Sequence, residues 1–200
     1  MITYDKIVQL ILYVIKTCEK EWTGITIMKL YKILYFIDFG FYATQGKSIT
    51  NLNYLRFTYG PVPMGLNDYL KIMEDNGDID KKDIMTEKGE KTVYIAMKNG
   101  KLKPSLFPES EIELINVTLE ALKNQFAKTA SIKTHYHHSW ITTNKGEIIP
   151  YETSKFCDFE WLNYYSQDKN KQDFKEVEST RKLFRSSDRL QGLMAQVQNQ

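Results

Sequence analysis

The sequence predicts a mainly α-helical α+β fold: a compact helical domain with one small β-hairpin, followed by a helical C-terminal extension. Three observations carry this expectation. The run over residues 26–44 is apolar around nearly its whole circumference, which marks a helix buried on several sides. Two other stretches step at helical spacing, Ile7, Leu10, Ile11, Val14, Ile15 and Ile112, Ile115, Leu119, Leu122, Phe126. Between them Val93, Ile95 and Met97 alternate with Tyr94, Ala96 and Lys98, the period of a strand. The 200 residues suit one domain with an appended segment, and 42% hydrophobic content with 13% aromatic content is enough for a core.

The first helix spans about residues 4–20, with Thr3 as its cap and Asp5, Lys6, Gln9, Lys16 and Glu19 on the polar side. Thr23 and Gly24 break it. The central helix carries one stripe of Ile27, Leu30, Leu34, Ile37 and Phe41 and a second of Ile33, Phe36 and Ala43, interrupted in its interior only by Lys29, Lys32 and Asp38. Five such stripe residues contribute on the order of 10 kcal/mol gross before conformational entropy is subtracted. Gln45-Gly46-Lys47 closes that helix.

Residues 52–58 alternate and suit an extended segment, and residues 59–63, Tyr-Gly-Pro-Val-Pro, predict a turn. Leu66, Leu70 and Met73 mark a third helix to about Asp75. Two strands over residues 79–85 and 92–98 form the hairpin, joined through Glu87-Lys88-Gly89-Glu90. A connector over residues 103–108 leads to the helix of residues 109–126. A short helix over residues 130–136, a Lys145-Gly146 turn and a last helical run over residues 153–165 complete the domain, residues 1–165. Residues 166–200 are polar, lack Trp and Tyr, and carry a weak heptad of Leu183, Leu190 and Val197.

Charge narrows the function classes. The net charge is +2, from 27 basic and 25 acidic residues, without the strong basic excess of a dedicated nucleic-acid binder. No segment approaches the roughly 18 apolar residues of a membrane span, and the start lacks the order of a signal peptide, so a cytoplasmic protein is expected. Cys18 and Cys157 form no CxxC and suit reduced, buried thiols.

Motifs for chemistry are sparse. His135, His137 and His138 invite a metal, but this spacing does not put three imidazoles on one helical face, and no HExxH or cysteine pair completes a set. The run from Asp75 to Asp80 fails as a calcium loop, because its sixth position is Asp80 and its twelfth Thr86. There is no GxGxxG, phosphate loop or GxSxG. The expectation is a protein without catalysis, cofactor or metal. The order of three helices and a hairpin over residues 4–98 is also that of a winged helix. A DNA-binding regulator touching phosphates through Lys98, Lys101 and Lys103 is therefore an alternative, but the third helix offers only Lys71 against Asp68, Glu74 and Asp75.

Three blocks carry a family resemblance. Lys29-Leu30-Tyr31-Lys32-Ile33-Leu34-Tyr35-Phe36-Ile37-Asp38 is similar to the opening KLxKLLYFAD signature of the Panacea, or SocA-like, antitoxin domain. Arg56-Phe57-Thr58-Tyr59-Gly60-Pro61-Val62-Pro63 resembles its second signature. His135 through Trp140, with Gly146-Glu147-Ile148-Ile149-Pro150-Tyr151, resembles the third, Thr134 standing where Ser is usual. The resemblance covers about residues 5–160 and implies a type II antitoxin that binds a cognate protein toxin from the adjacent gene. Some members instead deliver a toxin to a protease. It points to Lys29, Lys32, Tyr35, Asp38, Tyr59, Gly60, Pro61, His135, His138 and Trp140 as partner-binding residues. From the residues alone, Lys29, Lys32 and Asp38 either organise the core or line a cleft with Tyr59, His135 and Trp140, since a buried charge needs a partner. Gly60 and Pro61 serve turn geometry on either reading.

Overall fold

A computed structural model describes residues 4–19, 24–87, 89–122 and 127–159. The C-terminal extension of residues 166–200 and the end of the helical run over residues 153–165 lie outside the described residues. So do Thr3, Thr23 and Phe126.

Among the described residues, six α-helices and two antiparallel hairpins make the fold. Helix α1 is Tyr4–Glu19 and α2 is Ile27–Gln45. Strands β1 (Tyr54–Phe57) and β2 (Gly60–Pro63) precede α3 (Leu66–Asp75). Strands β3 (Ile79–Thr86) and β4 (Gly89–Ala96) form the second hairpin. Helices α4 (Glu109–Leu122), α5 (Ala127–His135) and α6 (His138–Thr142) follow, and a 3-10 turn over Tyr151–Phe156 is the last described element.

Helix α2 is the axis of the molecule. Every residue from Lys29 to Phe41 is buried, because α1, α4, α5, β2 and the 3-10 turn all pack on it. The Thr26 hydroxyl accepts from the Lys29 N–H at its start, and Gly46, at φ 68°, closes its end with an N–H bond to the Tyr42 carbonyl.

Helix α1 is more covered than its amphipathic pattern predicts. Gln9, on the expected polar side, is buried: its amide donates to the Lys101 carbonyl at 3.1 Å and accepts from the Lys103 N–H at 2.7 Å. Lys6 pairs with Glu111 of α4 at 2.7 Å. A polar residue with a fixed partner can be buried, and hydropathy spacing does not register that.

One prediction is corrected. Residues 59–63 are not a turn: the reversal is confined to Thr58-Tyr59, and Gly60–Pro63 forms β2, with Arg56 opposite Pro61 and Tyr54 opposite Pro63. Proline is tolerated here because a strand with one unpaired edge needs no N–H on that side. The other edge of β1 is also taken, by residues 146–149. Gly146 N–H donates to the Arg56 carbonyl (2.8 Å), Arg56 N–H to the Glu147 carbonyl (2.9 Å) and Ile149 N–H to the Tyr54 carbonyl (2.8 Å).

The second hairpin follows the predicted alternation with a full eight-residue register from Ile79–Ala96 to Thr86–Gly89. Only its base is buried, through Ile79, Val93 and Tyr94, and Tyr94 exchanges backbone hydrogen bonds with Ile25.

Candidate functional site

The three sequence blocks that lie far apart in the chain close on one another at the β1–β2 hairpin. Lys32, on the second turn of α2, is fully buried (0% exposed) and donates from Nζ to the Pro61 carbonyl at 2.9 Å. Gly60 lies between them with φ 95°, where a side chain would be strained. A Cβ on Gly60 would stand 2.6 Å from Thr134 Oγ1 and 2.9 Å from the Lys32 amine, so the position has no room for a methyl group. Ser131 of α5 donates to the Tyr59 carbonyl at 2.6 Å, fixing the hairpin tip to that helix.

Beside this junction Trp140 carries two cationic or potentially cationic partners. The Arg56 guanidinium lies over the indole, 4.0 Å from the ring centroid, and its Nε donates to the Trp140 carbonyl at 3.0 Å. The His135 ring stacks on the same indole at 4.2 Å. The Trp140 N–H reaches the Phe57 carbonyl at 3.4 Å.

Burial pushes the Lys32 amine down to about 7. It pushes the His135 imidazole down to about 4, with further lowering from the charges of Lys32 and then Arg56. His135 Nε2 is buried without a hydrogen-bond partner among the described residues. Burial thus favours the neutral forms of both side chains.

Asp38 belongs to a different region. It is 0% exposed and accepts from the Ile49 N–H at 3.0 Å, the Thr50 N–H at 2.9 Å, the Tyr54 hydroxyl at 2.7 Å and the Thr50 hydroxyl. Burial raises its pKa, and those hydrogen bonds work against the rise. Asp38 therefore ties the loop of residues 49–54 to α2, which is the organising role.

Tyr35 is also in the core, its ring 4.3 Å from Phe39 and its hydroxyl 3.3 Å from His137 Nδ1. Neither Tyr35 nor Asp38 reaches the surface. Lys29 is buried near the start of α2. His138 is half-buried against Phe156, with its pKa lowered by burial.

The expected residues therefore divide. Lys32, Tyr59, Gly60, Pro61, His135 and Trp140 come together; Tyr35 and Asp38 stand apart in the core. The three histidines pack on different aromatic neighbours: Trp140 for His135, Phe36 and Phe159 for His137, Phe156 for His138. Among the described residues no group of three or more His, Cys, Asp or Glu is placed to hold a metal ion.

Arg56 was missed as a site residue, although one signal was legible: it is the first arginine of the chain, and the next is Arg181. Exposed apolar side chains around the junction include Phe57 (40%), Tyr59 (72%) and Met64. They leave an aromatic hairpin tip facing solvent beside a stacked guanidinium.

The features of the DNA-binding alternative lie elsewhere. Lys98, Lys101 and Lys103 are exposed in the segment after β4. On α3 Lys71 pairs with Asp75 at 3.4 Å, and Glu74 with Lys81 at 3.0 Å. No helix among the described residues is long and apolar enough to cross a membrane.

In a comparison with known families, the family model described as antitoxin SocA-like, Panacea domain, matches residues 30–141. It takes in α2 from Leu30 onward, both hairpins, Arg56, Gly60 and Trp140. No curated protein and no solved structure matches the chain.

Proposed function

The chain belongs to the antitoxin SocA-like, Panacea domain family, and on that premise we propose that it neutralises a cognate protein toxin by direct binding, without catalysis. The toxin is the product of the adjacent gene, in a type II arrangement acting in the cytoplasm. The observation that carries this reading is the family match to residues 30–141, a range that contains the whole β1–β2 junction. The junction's chemistry supports it. Tyr, Trp and Arg are the residue types that concentrate binding energy in protein interfaces, and here they gather on a hairpin held rigid by Lys32, Ser131 and the indole. A rigid hairpin with an exposed aromatic tip loses little conformational freedom when a partner lands on it.

The test is co-expression. The neighbouring gene alone should arrest growth, growth should return when this chain is supplied, and the two products should co-purify. Cells that grow normally with the neighbour alone, or that stay arrested with both genes expressed, would remove the antitoxin reading.

A further inference from the structure

Arginine recognises carboxylates through two parallel N–H groups, and stacking on an aromatic ring holds that fork in place. Arg56 meets the second condition and leaves the first unused. Its guanidinium lies 4.0 Å from the Trp140 centroid and only Nε is engaged, with the Trp140 carbonyl at 3.0 Å. Both terminal nitrogens lack a hydrogen-bond partner among the described residues, and no carboxylate there pairs with Arg56. Glu147, whose backbone pairs with that of Arg56, turns its own carboxylate to the Asn144 N–H at 3.2 Å.

Lys32 Nζ reaches the Pro61 carbonyl, His135 Nε2 is buried without a partner, and neither faces a carboxylate among the described residues. A stacked guanidinium lacking a counter-charge is electrostatically incomplete, and an incoming anion would complete it. Flanking apolar area is supplied by Phe57 and Tyr59 on the same hairpin.

We propose that the guanidinium of Arg56, held over Trp140, is the docking point for an Asp or Glu carboxylate of the partner protein, whose neighbouring apolar residue packs on Phe57 and Tyr59. This rests on the antitoxin reading and names the chemistry of the toxin surface that it requires. A protein carboxylate is favoured over a nucleic-acid phosphate because the anchor is one arginine stacked on an indole in a chain of net charge +2. Backbone binding to nucleic acid needs a row of cations.

The experiment measures affinity of the full chain for the co-purified product of the neighbouring gene, at two salt concentrations, with melting temperature as the fold control. Arg56→Gln should weaken binding about tenfold or more and flatten the salt dependence. Arg56→Lys, which keeps the charge but not the fork, should fall between. Tyr59→Ala, at a 72% exposed position, should weaken binding several-fold without moving the melting temperature.

Charge reversal sharpens the result: Arg56→Glu should be suppressed by partner variants that exchange Asp or Glu for Lys or Arg. Wild-type affinity and salt dependence in Arg56→Gln would overturn the docking point while leaving neutralisation intact. If Arg56→Gln instead unfolds the chain, unchanged affinity in Tyr59→Ala overturns it. Loss of binding to a 30-base-pair duplex, with the protein complex unaffected, would make Arg56 a phosphate contact and overturn it too. Absence of any complex with the wild-type chain removes the antitoxin reading and the docking point with it.

Discussion

Lys32 and Asp38 stand one and two-thirds turns apart on the same helix, both fully removed from solvent, and their surroundings could hardly differ more. Asp38 receives four hydrogen bonds, two from backbone N–H groups and two from hydroxyls. Lys32 donates one, to the Pro61 carbonyl. A buried carboxylate surrounded by donors is a structural hub; a buried amine with a single acceptor is a charge under strain. The contrast teaches that the same sequence signal, a charge within an apolar run, has opposite meanings at the two ends of α2. The Asp38 end is electrostatically complete. The Lys32 end is held by fit and aromatic packing, and burial pushes its amine toward the neutral form.

Breaking the complete end should do the most damage. Asp38→Ala leaves the Ile49 and Thr50 N–H groups and the Tyr54 hydroxyl without their acceptor. A loss of roughly 3–5 kcal/mol in unfolding free energy, read from urea titration, is expected. A loss below that of Lys32→Met would invert the comparison.

At the other end apolar packing should matter next. Trp140→Ala removes an indole, 8% exposed, that carries Arg56 and His135, and about 3 kcal/mol should disappear. The same titration checks it.

Gly60→Ala should follow, with a loss of about 2 kcal/mol from left-handed backbone strain and the clash with Thr134 Oγ1. A silent Gly60→Ala would mean that the fit between hairpin, α2 and α5 is looser than 2.6 Å implies.

Smallest of all is Lys32→Met, expected within about 1 kcal/mol at neutral pH. Removing a strained charge offsets the orphaned Pro61 carbonyl. Its signature is in the pH dependence. The folded pKa, about 7, lies below the ordinary 10.5, so between these values the unfolded chain holds a proton that the folded one lacks. Stability of the parent protein should therefore rise with pH across that window relative to Lys32→Met, by at most about 1.4 kcal/mol per pH unit. Parallel pH profiles would show that Lys32 keeps its proton as easily as a solvated lysine.

Much of the scaffold was legible because its signals are local. The near-continuous apolar run of α2, the three-and-four stepping of α4 and the alternation of β4 each depend on neighbours within a few residues. What was not legible depends on distant partners. Residues 59–63 read as a turn because two prolines and a glycine suggest one. Only the pairing of Arg56 with Pro61 and of β1 with residues 146–149 makes a strand of them. Gln9 looked solvated because its acceptor and donor lie at Lys101 and Lys103.

The site followed the same rule. The blocks around Lys32, Gly60 and Trp140 were each recognisable, but Arg56 gained its meaning only from an indole 84 residues away. The ambiguity over Lys32 and Asp38 was likewise one of environment, since spacing says that a charge is buried but not what receives it.

The β3–β4 ribbon offers a practical handle. Its base is rooted through Ile79, Val93 and Tyr94, whereas Asp80 to Asp83 and Gly89 to Thr92 are bathed by solvent on both faces. Eight residues of strand extend roughly 26 Å, so its outer end stands well clear of the helical body. A fluorophore or an epitope spliced between Thr86 and Gly89 would ride on this stalk, giving a reporter whose attachment leaves the Arg56 hairpin untouched.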